Sequence, residues 1–312
     1  MAKKLKLRER FSPLTLLMLV LLCVYSLIFL YMMFWGLMQI FKPADGGIHN
    51  FINNPNWFPK IEDFTLNNFK ALFEYAENVS WTSSLSSRPN VPLWEVYINS
   101  IVYSVGGAFV NVTATCVMAY LAARYKYWYS KLIYMVVIIV MATPVIGSQA
   151  SEIQILSKLG LYNTRFGFMV LKASFVGMYF LVLHATFASI PATYSEAAML
   201  DGAGATRIFL RIYLPLALNV YFTVFLITFI QFWNDYQMAM LYMPNYPTLS
   251  YFLYVAQTNA SAPLRVGTSW VVASDPPFKM AATFMLVLPI VVIFIAFNKK
   301  LMGNLNIGGI KG

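Results

Sequence analysis

The chain has 312 residues, of which 59% are hydrophobic and 11% are charged, and its formal net charge is +10. Its mean hydropathy of +0.63 excludes an ordinary soluble domain and indicates a polytopic membrane protein. Away from the termini the basic residues stand singly between apolar stretches, and they form no stripe with interleaved aromatics, so nucleic acid is not an expected partner.

The N-terminus is predicted to be a short tail, residues 1–12, followed by a retained first span. The tail carries five basic residues: Lys3, Lys4, Lys6, Arg8 and Arg10. The apolar run that follows is too long for a signal peptide and has no small-residue cleavage site before Lys42. Residues 13–312 are therefore expected to form a single transmembrane domain.

Apolar segments predict six membrane-spanning helices, at about 20 residues per crossing. They lie near 13–41, 96–121, 132–150, 167–190, 217–242 and 280–298. Thr143-Pro144 interrupts the third, which is tolerated where neighbouring helices satisfy the freed carbonyl. Six crossings place both termini on the same side of the membrane.

The distribution of Lys and Arg predicts which side that is. Basic residues concentrate at the N-terminus, at the C-terminus and in the 122–131 turn, which contains Arg124, Lys126 and Lys131. Such segments face the cytoplasm. The segments 42–95 and 243–279 are then external loops, rich in turn-forming residues, with one short helix expected near Leu66–Tyr75.

A polar insert at 194–215 separates the fourth and fifth predicted spans. Its polar groups would be too costly to bury in the hydrocarbon core of the membrane. Tyr194–Leu200 is predicted to be a short helix and Asp201-Gly202 a turn, in which glycine permits a positive φ. A second helix is expected to run until Pro215 stops it. The insert is therefore a shaped projection, on the cytoplasmic side by the charge rule.

The insert carries a motif of fixed spacing, formed by Glu196, Ala197, Ala198, Gly202, Ile212, Leu214 and Pro215. This spacing resembles the cytoplasmic coupling loop of ABC importer permeases, and Asp201, Ala203 and Phe209 resemble its maltose-type carbohydrate branch. Asn219 departs from the pattern, which often has a second proline there. Further resemblances follow in order, at Leu159–Thr164, Trp233–Asp235, Met280–Ala282, Leu288-Pro289 and Ile310–Gly312.

The resemblance implies a type I ABC importer permease: an all-α membrane protein with six transmembrane helices and a cytoplasmic coupling-helix insert, in the plasma membrane of a prokaryote. It implies these partners: a second permease subunit, two ABC ATPase subunits, an extracellular solute-binding protein, the lipid bilayer and a carbohydrate, specifically an oligosaccharide. The motif residues, with Asp201, Ala203 and Arg207, would contact the ATPase. Arg207 and Arg211 would contact either acidic groups or lipid headgroups.

Enzyme chemistry is not expected in this chain. No Gly-x-x-x-x-Gly-Lys-Ser/Thr loop occurs, so ATP and Mg²⁺ are expected in the partner ATPases, with no cofactor here. Cys23 and Cys116 lie in apolar runs and suggest neither a disulfide nor a metal site. His49 and His184 have no neighbouring nucleophile and acid, so no catalytic residue is predicted.

A substrate path is expected around Asp235, an acidic residue inside the fifth predicted span. Gln231, Trp233, Asn234 and Tyr236 surround it, and such a polar and aromatic cluster suits sugars, although a hydrogen-bonded helix contact explains it equally well. Lys172 is expected to extend to the outer surface.

The external loop near 257–278 corresponds by position to one that contacts the binding protein in the maltose-type family. Its candidate contact residues are Asn259, Arg265 and Trp270. A loop that merely shields the outer cavity is equally consistent.

Three alternative functions stay open at this point. An importer of the same architecture could carry a solute other than a sugar. An ion-coupled secondary carrier would show several intramembrane charges and often inverted repeats. A membrane enzyme or receptor is a residual alternative, and copurification with an ATPase would separate the importers from the rest.

Overall fold

The computed structural model describes residues 13–43, 61–78, 91–143, 147–258, 263–266, 269–272 and 275–304. These residues are almost entirely helical. The helices are α1 (Pro13–Gln39), α2 (Asn67–Asn78), α3 (Leu93–Arg124), α4 (Trp128–Ala142), α5 (Gln149–Lys158), α6 (Arg165–Lys172), α7 (Met178–Ser189), α8 (Thr193–Leu200), α9 (Ala205–Asn234), α10 (Gln237–Tyr242), α11 (Leu249–Thr258) and α12 (Pro276–Asn304). A 3₁₀ turn at Ile61–Asp63 precedes α2, and the strands β1 (Pro263–Val266) and β2 (Ser269–Val272) form an antiparallel hairpin.

Four of these helices are long and apolar enough to cross a membrane: α1, α3, α9 and α12. The predicted third and fourth spans contain the shorter apolar helices α4 and α7. α4 ends at Ala142, and Thr143 takes an extended conformation with φ −98° and ψ 115°. The following residue is Pro144, and a proline disfavours the helical conformation of its predecessor.

The predicted fourth span, 167–190, is not one continuous helix. α6 ends at Lys172 and α7 begins at Met178, which leaves free carbonyl groups between them. The side-chain amide of Asn111 on α3 donates hydrogen bonds to the carbonyls of Lys172, at 3.1 Å, and Ser174, at 2.9 Å. A break among apolar helices is stable when the protein itself satisfies the backbone in this way.

The expectation that Pro215 ends a helix is wrong. α9 runs through it from Ala205 to Asn234. A proline removes one N–H and crowds the carbonyl four residues before it. Here the preceding turn, Phe209–Tyr213, is a wider π-turn, closed by Leu214 N–H donating to the carbonyl of Phe209. This local widening accommodates the proline without ending the helix.

The predicted fifth span, 217–242, differs from the structure at both ends. α9 begins at Ala205, and it ends at Asn234 instead of continuing to 242. Asp235-Tyr236 breaks the helix, and α10 follows at Gln237–Tyr242. Asp235 therefore lies in a helix break and not inside a continuous helix.

The chain divides into two compact units, whereas the sequence predicts one domain; the single domain stays a prediction. The first unit comprises Met1–Tyr75 and Ala256–Met285. In it, the amide of Asn68 donates to the carbonyls of Ile40, at 2.7 Å, and Lys42, at 2.8 Å. The segment 243–279 is more regular than predicted, because it contains α11 and the hairpin. Pro263 is tolerated at the first position of β1.

The second unit comprises Ala76–Val255 and Leu286–Gly312. Its core is built from α3, α7 and α9, with buried aromatic rings at Tyr120, Phe180, Phe187 and Tyr213. Cys116 is buried in this core, as expected of a small packing residue, while Cys23 is exposed on α1. The polar insert projects from the end of the core where Tyr120 and Tyr213 meet.

Candidate functional site

The first helix of the insert ends in a tight turn at Gly202. Asp201 ends α8, and Gly202 has a φ of +76°. The N–H of Ala203 donates to the carbonyl of Ala198, at 2.9 Å, and the N–H of Gly202 donates to that of Met199, at 3.0 Å. These two bonds form a Schellman motif, which places a glycine at the left-handed position. The turn is where the sequence predicts it.

The motif residues of the insert fall into two groups. Ala198, Ala203, Ile212 and Leu214 are partly buried and pack against the core. The others are exposed in this chain: Glu196, Ala197, Asp201, Gly202, Arg207 and Pro215. One group therefore fixes the insert to its own protein, and the other leaves a surface open to a partner.

The tip of the insert, residues 199–204, exposes two large apolar side chains. Leu200 is 90% exposed and Met199 is 61% exposed. A Cβ atom built on Gly202 would meet nothing within 4 Å. Within the described chain, the Glu196 carboxylate has no hydrogen-bond or ion-pair partner. Exposed apolar side chains beside an unpaired carboxylate are typical of a protein interaction surface.

Arg124, at the end of α3, anchors the base of the insert. Its guanidinium donates to the Ile190 carbonyl at 3.0 Å and to the Tyr213 hydroxyl, and it lies 4.4 Å from the centre of the Tyr213 ring. The Tyr213 hydroxyl donates to Ser195 Oγ at 3.1 Å, and that hydroxyl donates to the Ala192 carbonyl at 2.8 Å. This chain of hydrogen bonds, the Arg124 network, joins α3, α8 and α9.

The five residues of the predicted substrate path do not share one environment. Trp233 is buried and donates its indole N–H to the carbonyl of Leu286 at 3.0 Å, so it is a packing residue. Gln231, Asn234 and Tyr236 are exposed. Gln231 donates to the Tyr179 hydroxyl at 3.1 Å, and the Tyr236 ring stacks on Tyr254 at 4.5 Å.

Asp235 satisfies the break between α9 and α10. Its Oδ1 accepts the N–H of Met238 at 3.0 Å, and its Oδ2 accepts the Tyr103 hydroxyl at 2.7 Å. The ammonium of Lys172 lies 3.9 Å from Oδ2, with side-chain exposures of 13% for Lys172 and 20% for Asp235. Asp235 therefore makes a hydrogen-bonded helix contact and does not line an open polar path.

The expectation that Lys172 extends to the outer surface is wrong. Its ammonium lies 4.5 Å from the Phe232 ring centre and 5.3 Å from that of Phe168, besides pairing with Asp235. A charged group among apolar helices is costly unless an opposite charge or an aromatic face receives it. Lone charges in neighbouring apolar segments, Lys172 and Asp235, were the sequence signal for this pair.

Two of the three predicted binding-protein contacts, Arg265 and Trp270, lie in the hairpin. Arg265 on β1 pairs with Trp270 on β2 in the strand register. Asn259 lies outside the described residues. Sequence reasoning missed Tyr213 and Ser195, although Tyr213 stands between the motif positions Ile212 and Leu214, where a buried tyrosine needs a partner for its hydroxyl.

Comparison with known families decides what kind of protein presents this insert. Residues 112–302 match the family described as binding-protein-dependent transport system inner membrane component. The chain belongs to this family. It is therefore a multi-pass membrane subunit of an ABC importer and not an enzyme. Membership also decides against the secondary carrier and the receptor.

Several characterised relatives cover most of the chain. The melibiose/raffinose/stachyose import permease protein MelC of Bacillus subtilis is 25% identical over 251 residues, which is 78% of this chain and 87% of that protein. The diacetylchitobiose uptake system permease protein NgcG of Streptomyces coelicolor is 25% identical over 291 residues, 92% of this chain and 86% of that protein.

The fold has a counterpart among solved structures. A chain in the crystal structure of a bacterial ABC transporter involved in the import of the acidic polysaccharide alginate superposes with a TM-score of 0.73. The match covers 93% of this chain and 98% of that chain, at 19% identity. The permease fold is thus confirmed.

The Arg124 network gives a testable account of how the insert is held. Tyr213→Phe removes the hydroxyl that links Arg124 to Ser195 and keeps the ring. Hydrogen bonds to charged groups contribute about 1.5–3 kcal/mol. We therefore expect amide hydrogen exchange in α8 to accelerate at least roughly tenfold in the assembled transporter. Mass spectrometry of peptides spanning 193–203 measures this exchange rate.

The matched control is Tyr221→Phe, which removes a hydroxyl bonded to Thr113 at 2.8 Å on the same helix as Tyr213 but away from the insert. It should leave exchange in α8 unchanged. Equal exchange in wild type and Tyr213→Phe would show that the network does not hold the insert.

Proposed function

We propose that this chain is a transmembrane permease subunit of an ATP-driven, binding-protein-dependent importer for a carbohydrate, specifically an oligosaccharide. Membership of the importer family supports the transport role. The sugar assignment is supported by relatives whose names state uptake of melibiose, raffinose, stachyose or diacetylchitobiose and which cover most of the chain. An importer of the same architecture for another solute is the alternative that an experiment must separate.

The exposed tip of the insert is the observation that carries the coupling mechanism. Leu200 and Met199 are held outward by a Schellman turn, and among the described residues none lies within 4 Å of a Cβ built on Gly202. In the proposed complex this tip enters a groove on a separate ATPase subunit, and Glu196, Asp201 and Arg207 meet polar groups at its rim. The favourable free energy of binding comes from burying apolar surface at the centre of the contact.

Coupling also requires a stiff connection between the tip and the spans. A slack loop would absorb the displacement of the ATPase without moving the helices. The Arg124 network removes that slack, because it joins α8 to the end of α3 and to α9. Closure of the ATPase dimer is therefore delivered as motion of these two long helices.

The proposed assembly contains this chain, a second permease, two ATPase subunits that bind ATP and Mg²⁺, and an extracellular binding protein. Six crossings place both termini and the insert in the cytoplasm of a prokaryotic cell. In this orientation α11 and the hairpin face outward, where Arg265 and Trp270 would contact the binding protein. Gln231, Asn234 and Tyr236 remain candidates for the sugar path, since their side chains are exposed.

The substrate class is tested by reconstituting the complete transporter with its binding protein in vesicles. A panel of oligosaccharides, with amino acids and peptides as the comparison, is screened for stimulation of ATP hydrolysis. We expect at least one oligosaccharide to stimulate hydrolysis and to accumulate in the vesicles. Stimulation only by a different solute class would overturn the sugar assignment and leave the importer assignment standing.

The coupling role of the tip is tested by Gly202→Asp. Aspartate tolerates a left-handed conformation, and the added side chain has open space in this chain, so the permease should still assemble. In the complex the side chain would stand in the contact with the ATPase. We expect substrate-stimulated ATP hydrolysis to fall to the unstimulated level.

Gly160→Asp is the matched control. Gly160 ends α5 with a φ of +68°, makes the same pair of hydrogen bonds and has no neighbour within 4 Å of a built Cβ. Gly160 would lie on the opposite side of the membrane from the ATPase. Gly160→Asp should therefore preserve the substrate-stimulated ATP hydrolysis. Normal stimulation in Gly202→Asp, or equal loss in both variants, would refute the coupling assignment.

A further inference from the structure

A groove of about 620 Å³ opens where the end of α3 faces α4 and α7. Two lysines, Lys126 and Lys131, stand at one end, and Met135, Ile138 and Ile139 line the rest of its length on the α4 side. We call it the basic groove. It lies at the same end of the second unit as the insert, because Arg124, two residues before Lys126, contacts Ile190 and Tyr213.

The basic end of the groove has charges that the described residues do not neutralise. Lys126 and Lys131 are both exposed, and among the described residues neither has a carboxylate within ion-pairing distance. Ser130 lies between them in sequence, buried in the groove wall, and its hydroxyl has no hydrogen-bond partner within the described structure. The Ser130 oxygen is itself buried, so the two exposed lysines are the groups that suit an anionic headgroup such as a phosphate diester.

The aromatic residues at this end are those of a membrane interface. Trp128 is 77% exposed, and the rings of Tyr127 and Tyr129 stack at 5.2 Å. Amphipathic aromatics collect at the level of lipid headgroups. The lysines therefore stand at headgroup depth, while Ile138 and Ile139 lie about two to three turns along α4 in the direction of the hydrocarbon.

From this juxtaposition we propose that the basic groove binds an anionic phospholipid, with its phosphate at Lys126 and Lys131 and an acyl chain along Met135, Ile138 and Ile139. The basic end of the groove matches the headgroup of such a lipid, and its apolar length matches the acyl chain. Basic pockets between membrane helices are a known setting for anionic headgroups. The lipid would belong to the leaflet on the side of the insert.

The test uses the complete transporter in phosphatidylcholine vesicles that contain either brominated phosphatidylglycerol or brominated phosphatidylcholine at equal mole fraction. Bromine quenches nearby tryptophan fluorescence, and subtracting a Trp128→Phe variant isolates the signal of Trp128. We expect stronger quenching by the anionic lipid. Lys126→Gln/Lys131→Gln should lower the relative affinity for the anionic lipid by roughly fivefold per lysine, as expected of basic groups near a charged surface.

Two further variants make the result decisive. Lys126→Arg/Lys131→Arg keeps both charges and should retain the preference. Lys70→Gln/Lys158→Gln removes two exposed lysines elsewhere and should also retain it. An unchanged preference in Lys126→Gln/Lys131→Gln would overturn the proposal, because the lysines would then merely extend to the surface. Quenching by neither lipid would overturn it as well, since another subunit would then cover the groove.

Discussion

The position of the insert relative to the long helices depends on the hydrogen bonds of the Arg124 guanidinium. The guanidinium joins the end of α3 to the Ile190 carbonyl and, through the Tyr213 hydroxyl, to Ser195 on the insert. From Arg124 through Tyr213 and Ser195 each member donates to the next, and hydrogen bonds linked in this way strengthen one another. The exposed tip is therefore an extension of two long helices. In the proposed coupling, force applied at Leu200 would reach the spans through these hydrogen bonds.

The same need to satisfy polar groups internally explains the irregular helices. Helical structure is interrupted between α6 and α7 and again between α9 and α10. In each case a side chain hydrogen-bonds to backbone groups that the interruption frees. Asn111 does so at the first break and Asp235 at the second. The charge of Asp235 is in turn met by Tyr103 and Lys172. A membrane subunit tolerates irregular backbone where the protein itself pairs the groups that the break frees.

Hydropathy and motif spacing were sufficient for the helical membrane fold and for the turn at Gly202, because both depend on local composition and backbone conformation. They were insufficient where tertiary partners decide. The π-turn before Pro215 lets α9 continue through a residue that normally stops a helix. Trp233 belongs to the core because Leu286, far away in sequence, accepts its N–H. The Arg124 network was invisible for the same reason, since its members come from separate segments.

Contact between the tip and an ATPase subunit is the most direct test of coupling. Leu200→Cys, in a Cys23→Ser background that removes the exposed native thiol, is labelled with a photoactivated thiol cross-linker in the assembled transporter. Leu159→Cys, at a residue 65% exposed beside the matched turn of α5, is the control. Coupling through the insert predicts an adduct with the ATPase subunit from Leu200→Cys alone. No adduct from Leu200→Cys, or equal adducts from both positions, would contradict it.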